Sequence, residues 1–534
     1  MDENGSKKKI SLVILSLCLI CIVAIGISYA WWRFTAIQDK TNVGISKCFK
    51  LELSNESDAI NLTNTYPITD EEGRKLTPYT FTLTNTCALS AEYKLNMEML
   101  EGTTLNSKYV AVMVNNGNIN LLSSYDTATT VIDGSTESRI LDTGILGPNG
   151  SKNYSVSLWM DKSVTLEDDA LNKVFKSKIV VNAEATDKEP LKDKIVQLAQ
   201  SDTVNLASDD PDSNIRYIGA DPSNYVYFNC SDYNNPTADT CELWRIIGVF
   251  NNVTKSDGTK ENLVKIIRAD SLGNYSWDYK KSRVGTSTNG NGSTDWTDSQ
   301  LMMMLNPTTY LKSGYKISGE KILDNNNNEI YSKMGSYYNG TKGCEPPNSD
   351  SGTTFDCAEV DFTSTGLKND ATRNAIEEVV WNLGGTNSYT SASNGLASHW
   401  YGYERGTKVY SAHATIWTGK IGLMYPSDYG YATSGGTTKD RAACLTKELN
   451  NWDSSDFSEC KGNDYLLDVN NRQWTLAPSS AVDYFVFLVR TDGLVYCNNV
   501  HYTYAVRPAL FLKSNIFVDK GTGAKSDPYR LKIQ

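Results

Sequence analysis

The sequence is poor in the residues that most enzymes lean on. Only three histidines occur in 534 residues, His399, His413 and His501. No H-E-x-x-H pair is present for a zinc peptidase, and no G-x-S-x-G elbow for a hydrolase nucleophile. His413 has Ser411 and Asp428 nearby, but no oxyanion loop accompanies them. Outside the N-terminal hydrophobic run, no cysteines or histidines stand at the short C-x-x-C-like spacing that a zinc site requires. Basic residues are outnumbered, 51 Lys and Arg against 62 Asp and Glu, for a net charge of −11. The basic cluster that stands out is Lys7-Lys8-Lys9, so a nucleic-acid partner is excluded. No repeat of fixed period runs along the chain.

What is present argues for folded, β-rich domains. Hydrophobic residues make up 40 % of the chain and aromatics 10 %, enough for well-buried cores. A chain of 534 residues exceeds one hydrophobic core, which points to two or three domains. Tyr, Asn, Ser, Thr and Gly are abundant, a mixture that suits strands and long polar loops better than helical bundles.

The N-terminus carries an address. After Lys7-Lys8-Lys9 the run from Ile10 to Trp32 is uncharged and long enough to cross a bilayer of roughly 30 Å as a helix. The lysines put the N-terminus inside, and Trp31 and Trp32 fall where an interfacial belt would lie. A cleaved signal peptide is the alternative, with Ser28-Tyr29-Ala30 as its small-residue site. Either way the expectation is a chain whose bulk lies outside the cell: single-pass in the cell membrane with an extracellular C-terminal part, or secreted after cleavage near Ala30.

Cysteine usage agrees with export. Beyond Cys18 and Cys21, the cysteines fall into pairs close in sequence: Cys48 with Cys87, Cys230 with Cys241, Cys344 with Cys357 and Cys444 with Cys460. Each is expected to be a disulfide, the last three closing short polar loops. Cys497 is left over and reads as a buried thiol.

Residues 1–34 form the basic stub and hydrophobic helix. Residues 40–187 alternate apolar and polar positions in segments such as 79–86, 92–99, 153–161 and 175–185, with a turn at Gly147-Pro148-Asn149-Gly150. About seven short antiparallel strands of this kind predict an all-β sandwich. Residues 188–214 read as a linker holding a short helix over 191–199 and an acidic hinge at 208–212. Residues 215–534 form an α+β, loop-rich domain. It opens with strands around 225–230, 241–250 and 262–270, has helices over 298–305, 371–383 and 439–450, and closes with strands around Trp474, 484–497 and 504–514.

Two resemblances emerge. The residues Ser28 to Trp32 and Leu146 to Asp161 resemble those of camelysin-type exported β-sandwich proteins of Gram-positive bacteria, which include biofilm-matrix fibre subunits. Some such proteins are known as metallopeptidases, an activity the missing histidine motif leaves unsupported. Trp244-Arg245-Ile246-Ile247-Gly248, Gly419 to Met424, Trp474-Thr475-Leu476, Asp492-Gly493 and Val506-Arg507-Pro508-Ala509-Leu510 resemble the order of motifs in bacterial C-type-lectin-fold domains. That group includes formylglycine-generating-enzyme-like and retroelement-diversified binding domains. The resemblance implies a fold whose loops near the last strands gather on one face, with Trp244, Trp474 and Arg507 as structural residues.

Three segments mix aromatics with amides and hydroxyls, a composition suited to glycans or protein surfaces. Their residues Trp400, Tyr401, Tyr403, Tyr429, Tyr431, Asn498, Asn499, His501 and Tyr502 are the candidate ligand-binding set; loop-anchoring is the competing role. The Asn-rich runs 324–329 and 468–471 could offer oxygens to calcium, but they lack the EF-hand pattern and read as turns. No catalytic residue, metal or cofactor is expected. The sequence therefore reads as a surface or secreted adhesin-like protein that binds a glycan, matrix component or surface protein through its C-terminal head. A fibre subunit that self-assembles through the sandwich is the alternative, and a cell-envelope enzyme the least favoured reading.

Overall fold

A computed structural model describes residues 33–37, 49–53 and 60–62 and, from residue 66 onward, the chain apart from 87–88, 130–133, 149, 166, 171, 187, 279–291, 320, 324–326, 328, 332–333, 346–357, 388–394, 437–439, 453–459, 461–463 and 534. The hydrophobic run over residues 10–32 and the Cys48–Cys87 pair lie outside the described residues. So do Cys357 and the side chain of Cys344. No helix among the described residues is long and apolar enough to cross a membrane. The chain divides into two compact units, residues 1–189 and 190–534, and both are rich in strand.

In the first unit two five-stranded antiparallel sheets share one core. One orders its strands Arg33–Ile37, Phe175–Ala185, Ala91–Leu100 and Ser135–Leu146, with Ile60–Leu62 also on Phe175–Ala185. The other runs Phe49–Leu53, Tyr79–Asn85, Ser151–Met160, Val110–Val114 and Ile119–Leu121. Alternation along the strands sends Leu95 and Met97 from one sheet, and Phe81, Leu83 and Val156 from the other, into the shared interior. The expected turn at 147–150 is where the chain passes between sheets. There Asn85 is buried and its amide donates to the carbonyls of Leu89, Leu146 and Gly147. A polar bridge also crosses the core, from Tyr93 hydroxyl to Tyr154 hydroxyl at 2.6 Å and from Tyr154 to Asp142 at 2.6 Å.

The second unit is built on a ten-stranded sheet. Its centre is the hairpin of Glu242–Thr254 and Lys260–Arg268, flanked by Tyr225–Phe228 and Ala509–Leu512. Tyr225–Phe228 pairs in parallel with Tyr529–Lys532, which brings the start and end of the unit together. At Gly248, where the strand Ile215–Tyr217 crosses the long strand, a Cβ would run into the Ile215 carbonyl, so only glycine fits. A second sheet orders Asn274–Ser276, Thr503–Ala505, Gln473–Pro478, Phe485–Val489 and Val495–Asn499. Seven tryptophans, among them Trp244, Trp400 and Trp474, are less than 2 % exposed, which makes this core aromatic in character.

Three expectations need correction. The 188–214 segment is no free linker. Its helix forms as expected, Leu191–Ala199, but Leu191 and Ile195 are buried in the core of the second unit, and Asp210 and Asn214 are buried as well. The helix expected over 371–383 ends at Ala375, and Val379–Asn382 is a strand paired with Ile416–Gly419. Val379 and Val380 are β-branched and favour the pleated sheet once a partner strand is in place. The helix expected over 439–450 is shorter, Arg441–Leu445, capped by the Asp440 carboxylate on the Ala443 amide.

Candidate functional site

The first two aromatic segments fold as helices rather than loops, Ala397–Glu404 and Pro426–Tyr431. In the first, Ala397, Trp400, Tyr401 and Glu404 are buried, the i, i+3, i+4, i+7 spacing of one helix face. The second starts on Pro426, with the Asp428 carboxylate accepting from the Tyr425 amide at 2.9 Å. Trp400 meets Phe487 edge-on at 4.6 Å, and Tyr429 donates to the Gly493 carbonyl at 2.9 Å. Trp400, Tyr401, Tyr429 and Tyr431 are therefore packed inside the unit, which corrects their placement as loop-borne binding anchors; helix formation turns them to the core. Tyr403 is half-buried, and His399 beside it is exposed.

These helices close over a buried charge cluster that the sequence analysis missed. Arg216 donates from Nε to Asp210 at 2.6 Å and from Nη1 to Asp428 at 2.8 Å. Lys265 reaches the other oxygen of Asp428 at 2.5 Å. Arg216, Lys265, Asp210 and Asp428 have side chains at most 2 % exposed. Asn214 donates to Asp210 at 2.9 Å and to the Tyr401 hydroxyl at 2.8 Å, and Tyr401 donates to Asp212 at 2.6 Å. Phe250, Tyr401 and Tyr431 ring the guanidinium at 4.6, 5.8 and 5.2 Å. Against the burial that opposes its charge, the cations Lys265 and Arg216 hold the Asp428 carboxyl down to about 2. Burial pushes Glu404 the other way, up to about 7, although its carboxylate accepts from the Ser427 amide at 2.8 Å and hydroxyl at 2.5 Å. The charges of Asp210, Arg216, Lys265 and Asp428 answer one another and tie three distant parts of the chain into one polar core, which Glu404 adjoins through Ser427.

The third segment reaches the surface. Asn498 lies on the strand Val495–Asn499, His501 and Tyr502 follow in a turn, and Tyr504 lies on the next strand. Asn499 is buried, its side chain accepting from the His501 amide at 3.3 Å. His501 and Tyr502 have ring centroids 4.5 Å apart, Tyr502 and Tyr504 6.3 Å, and Tyr504 and Trp474 4.9 Å. The Asn498 amide donates to the Tyr504 hydroxyl at 2.6 Å. Arg472 stands 5.9 Å from the Tyr504 ring, and Arg490 stands 5.9 Å from that of Tyr496. Tyr496 and Tyr502 are 41 % and 46 % exposed and Arg472 is exposed as well, so this surface offers ring faces and a guanidinium to solvent, while Arg490 is half-buried and paired with Asp492 at 2.6 Å. Tyr496, Tyr504, Arg472 and Arg490 are absent from the candidate set. The alternation of Tyr496 and Asn498 on one strand face was the signal for the first of them.

The structural residues have plain roles. Trp244 packs edge-on to Phe228 at 5.3 Å. The Trp474 indole donates to the Tyr275 carbonyl at 3.0 Å. Arg507 donates to the carbonyls of Arg268 at 2.9 Å and Leu466 at 3.2 Å. Cys230–Cys241 and Cys444–Cys460 are disulfides, and Cys497 is a buried thiol that burial pushes up to about 12. Asp468 closes a turn on the amides of Asn470 and Asn471. Among the described residues, no group of three or more His, Cys, Asp or Glu side chains could hold a metal ion.

No family model and no curated protein matches this chain. A solved structure titled "Crystal structure of HCR/D-Sa-GBL1/C" aligns with 66 % of this chain and 89 % of its own, at 8 % identity and a TM-score of 0.10. A score that low carries no argument about fold or function.

Proposed function

We propose that this chain is an exported surface protein whose second unit is a binding head. The head recognises a glycan, a matrix component or another surface protein through the surface formed by Tyr496, Asn498, Tyr502 and Tyr504. The observation that carries this reading is the exposure of Tyr496 and Tyr502 beside an amide and two arginines on a sheet held rigid by an aromatic core. Rigid rings with polar tips give contact area at small entropic cost, and neighbouring amides and arginines add directional bonds. The motif order from Trp244 to Leu510 supports a C-type-lectin-like head, and the two sheets of the first unit support a camelysin-like sandwich as its carrier. The N-terminal hydrophobic run would tether or export the chain. A second reading, self-assembly into a fibre by strand addition, draws on the twelve-residue strand Ser135–Leu146, last in the order of its described sheet, although Asp126 and Ala128 already bond its outer edge at Ile140 and Ser138.

The test is a glycan and cell-surface binding array with the full chain, followed by single Tyr496→Ala, Tyr502→Ala and Tyr504→Ala variants. Truncating Tyr496 or Tyr502 should weaken binding by about tenfold or more at unchanged melting temperature, whereas Tyr504→Ala, which also loses its packing on Trp474, should lower both. Binding that survives all three changes would place the site elsewhere; concentration-dependent fibres without ligand would favour the second reading.

A further inference from the structure

The contact between Lys265 and Asp428 has the features of a reactive pair. Its two ends are 163 residues apart in sequence, and Lys265 Nζ lies 2.5 Å from Asp428 Oδ2. The lysine side chain is 0 % exposed and the aspartate 1 %, so water is kept from both. Around Nζ stand the rings of Tyr425, Trp381, Phe250 and Phe511, at 4.4, 5.3, 5.4 and 5.6 Å. Among the described residues, Asp428 is the one hydrogen-bond partner of this ammonium, which carries three protons.

From this geometry we infer that Lys265 and Asp428 condense into an intramolecular amide that cross-links the central sheet to the helix Pro426–Tyr431. The step balances with no added reagent. A proton crosses the contact, leaving a neutral amine and a carboxylic acid. The Nζ lone pair attacks Asp428 Cγ and the C–N bond forms. The Cγ–Oδ2 bond then breaks, and Oδ2 leaves as water with two of the three protons that began on Nζ. The third stays on the amide nitrogen.

The surroundings oppose the proton transfer onto Asp428, whose carboxylate the neighbouring cations favour, and serve the addition and the loss of water that follow it. Arg216 Nη1 donates to Oδ1 at 2.8 Å, where negative charge builds up in the tetrahedral intermediate. The Tyr425 amide donates to Oδ2, the leaving oxygen, at 2.9 Å. Burial lowers the pKa of the Lys265 ammonium, which favours the nucleophilic amine. A fixed contact supplies the high effective concentration that amide formation lacks between free groups in water. The product also leaves the cluster balanced. A buried ion pair is replaced by a neutral amide, and Arg216 keeps Asp210 as its counter-charge at 2.6 Å. Glu404 is a positioning residue, its carboxylate fixing the Ser427 amide and hydroxyl one residue before Asp428.

Mass spectrometry of the full chain, reduced and denatured, tests this. The intact mass is expected to fall short by one water. A branched peptide should join the segments holding Lys265 and Asp428, and trypsin should not cut at Lys265. A Lys265→Met variant, its folding checked by circular dichroism, should show no deficit and a linear peptide at Asp428. N-terminal processing is common to both proteins and cancels in the comparison. Full mass in the unsubstituted protein, with linear peptides at both residues, overturns the cross-link, as does a deficit that persists in Lys265→Met.

Discussion

At the scale of single residues, burial separates side chains that look alike in sequence. Trp400 and Tyr502 both sit in aromatic-rich segments, yet one is 0 % and the other 46 % exposed. Trp400→Ala should therefore cost about 3–5 kcal/mol of stability, because it opens a cavity in a packed core. Tyr502→Ala should stay within about 0.5 kcal/mol, since no core contact is lost. Chemical denaturation of both variants checks the contrast. Glu404 gives a pH-dependent signature. Its folded pKa, about 7, lies above the ordinary 4.5, so folding takes up a proton between those values. Its contribution to stability is complete below the lower value and is lost as the pH rises through the upper one. Glu404→Gln does not titrate. Between roughly pH 4 and pH 8 the native protein should lose about 3 kcal/mol relative to this variant, read from unfolding midpoints across that range.

At the scale of elements, the Leu191–Ala199 helix marks where the second unit begins. Ile195 is fully buried in that unit's core, and Val196 beside it is 37 % exposed. Ile195→Ala should cost about 2–4 kcal/mol, whereas Val196→Ala should be nearly neutral. Equal, small effects would return the segment to the status of a linker. The two disulfides close loops with sequence separations of 11 and 16. Replacing either pair with alanines should cost roughly 3 kcal/mol on the chain-entropy account, measured by denaturant unfolding of each double variant.

For the molecule as a whole, the prediction concerns topology. We propose, from the lysines before residue 10 and the uncharged run to residue 32, that the remainder lies outside the cell. Protease added to intact cells should degrade both folded units, detected by antibodies to each, while a cytoplasmic marker survives. Protection of both units would refute the exported reading.

Sequence alone was enough for patterns that repeat locally. Alternation from Phe175 to Ala185 gave a strand with those same bounds, and the amphipathic stretch Leu191 to Ala199 gave its helix. Proximity of Cys230 to Cys241 and of Cys444 to Cys460 was sufficient to pair them. The candidate site was legible in part. The Asn498–Tyr504 segment does reach the surface, whereas Trp400, Tyr401, Tyr429 and Tyr431 share its composition and are buried. Composition is common to binding loops and core-facing helices, and only packing decides between them. Two valines at 379 and 380 fit a helix face or a strand until Ile416–Gly419 supplies a partner. The charge cluster lay furthest from sight. Asp210, Arg216, Lys265, Glu404 and Asp428 each look like ordinary surface charges in their local sequence. Tertiary structure alone sets these side chains against one another in a dry interior, because ion pairing depends on distance in space and on the loss of water, and neither is written in local sequence order.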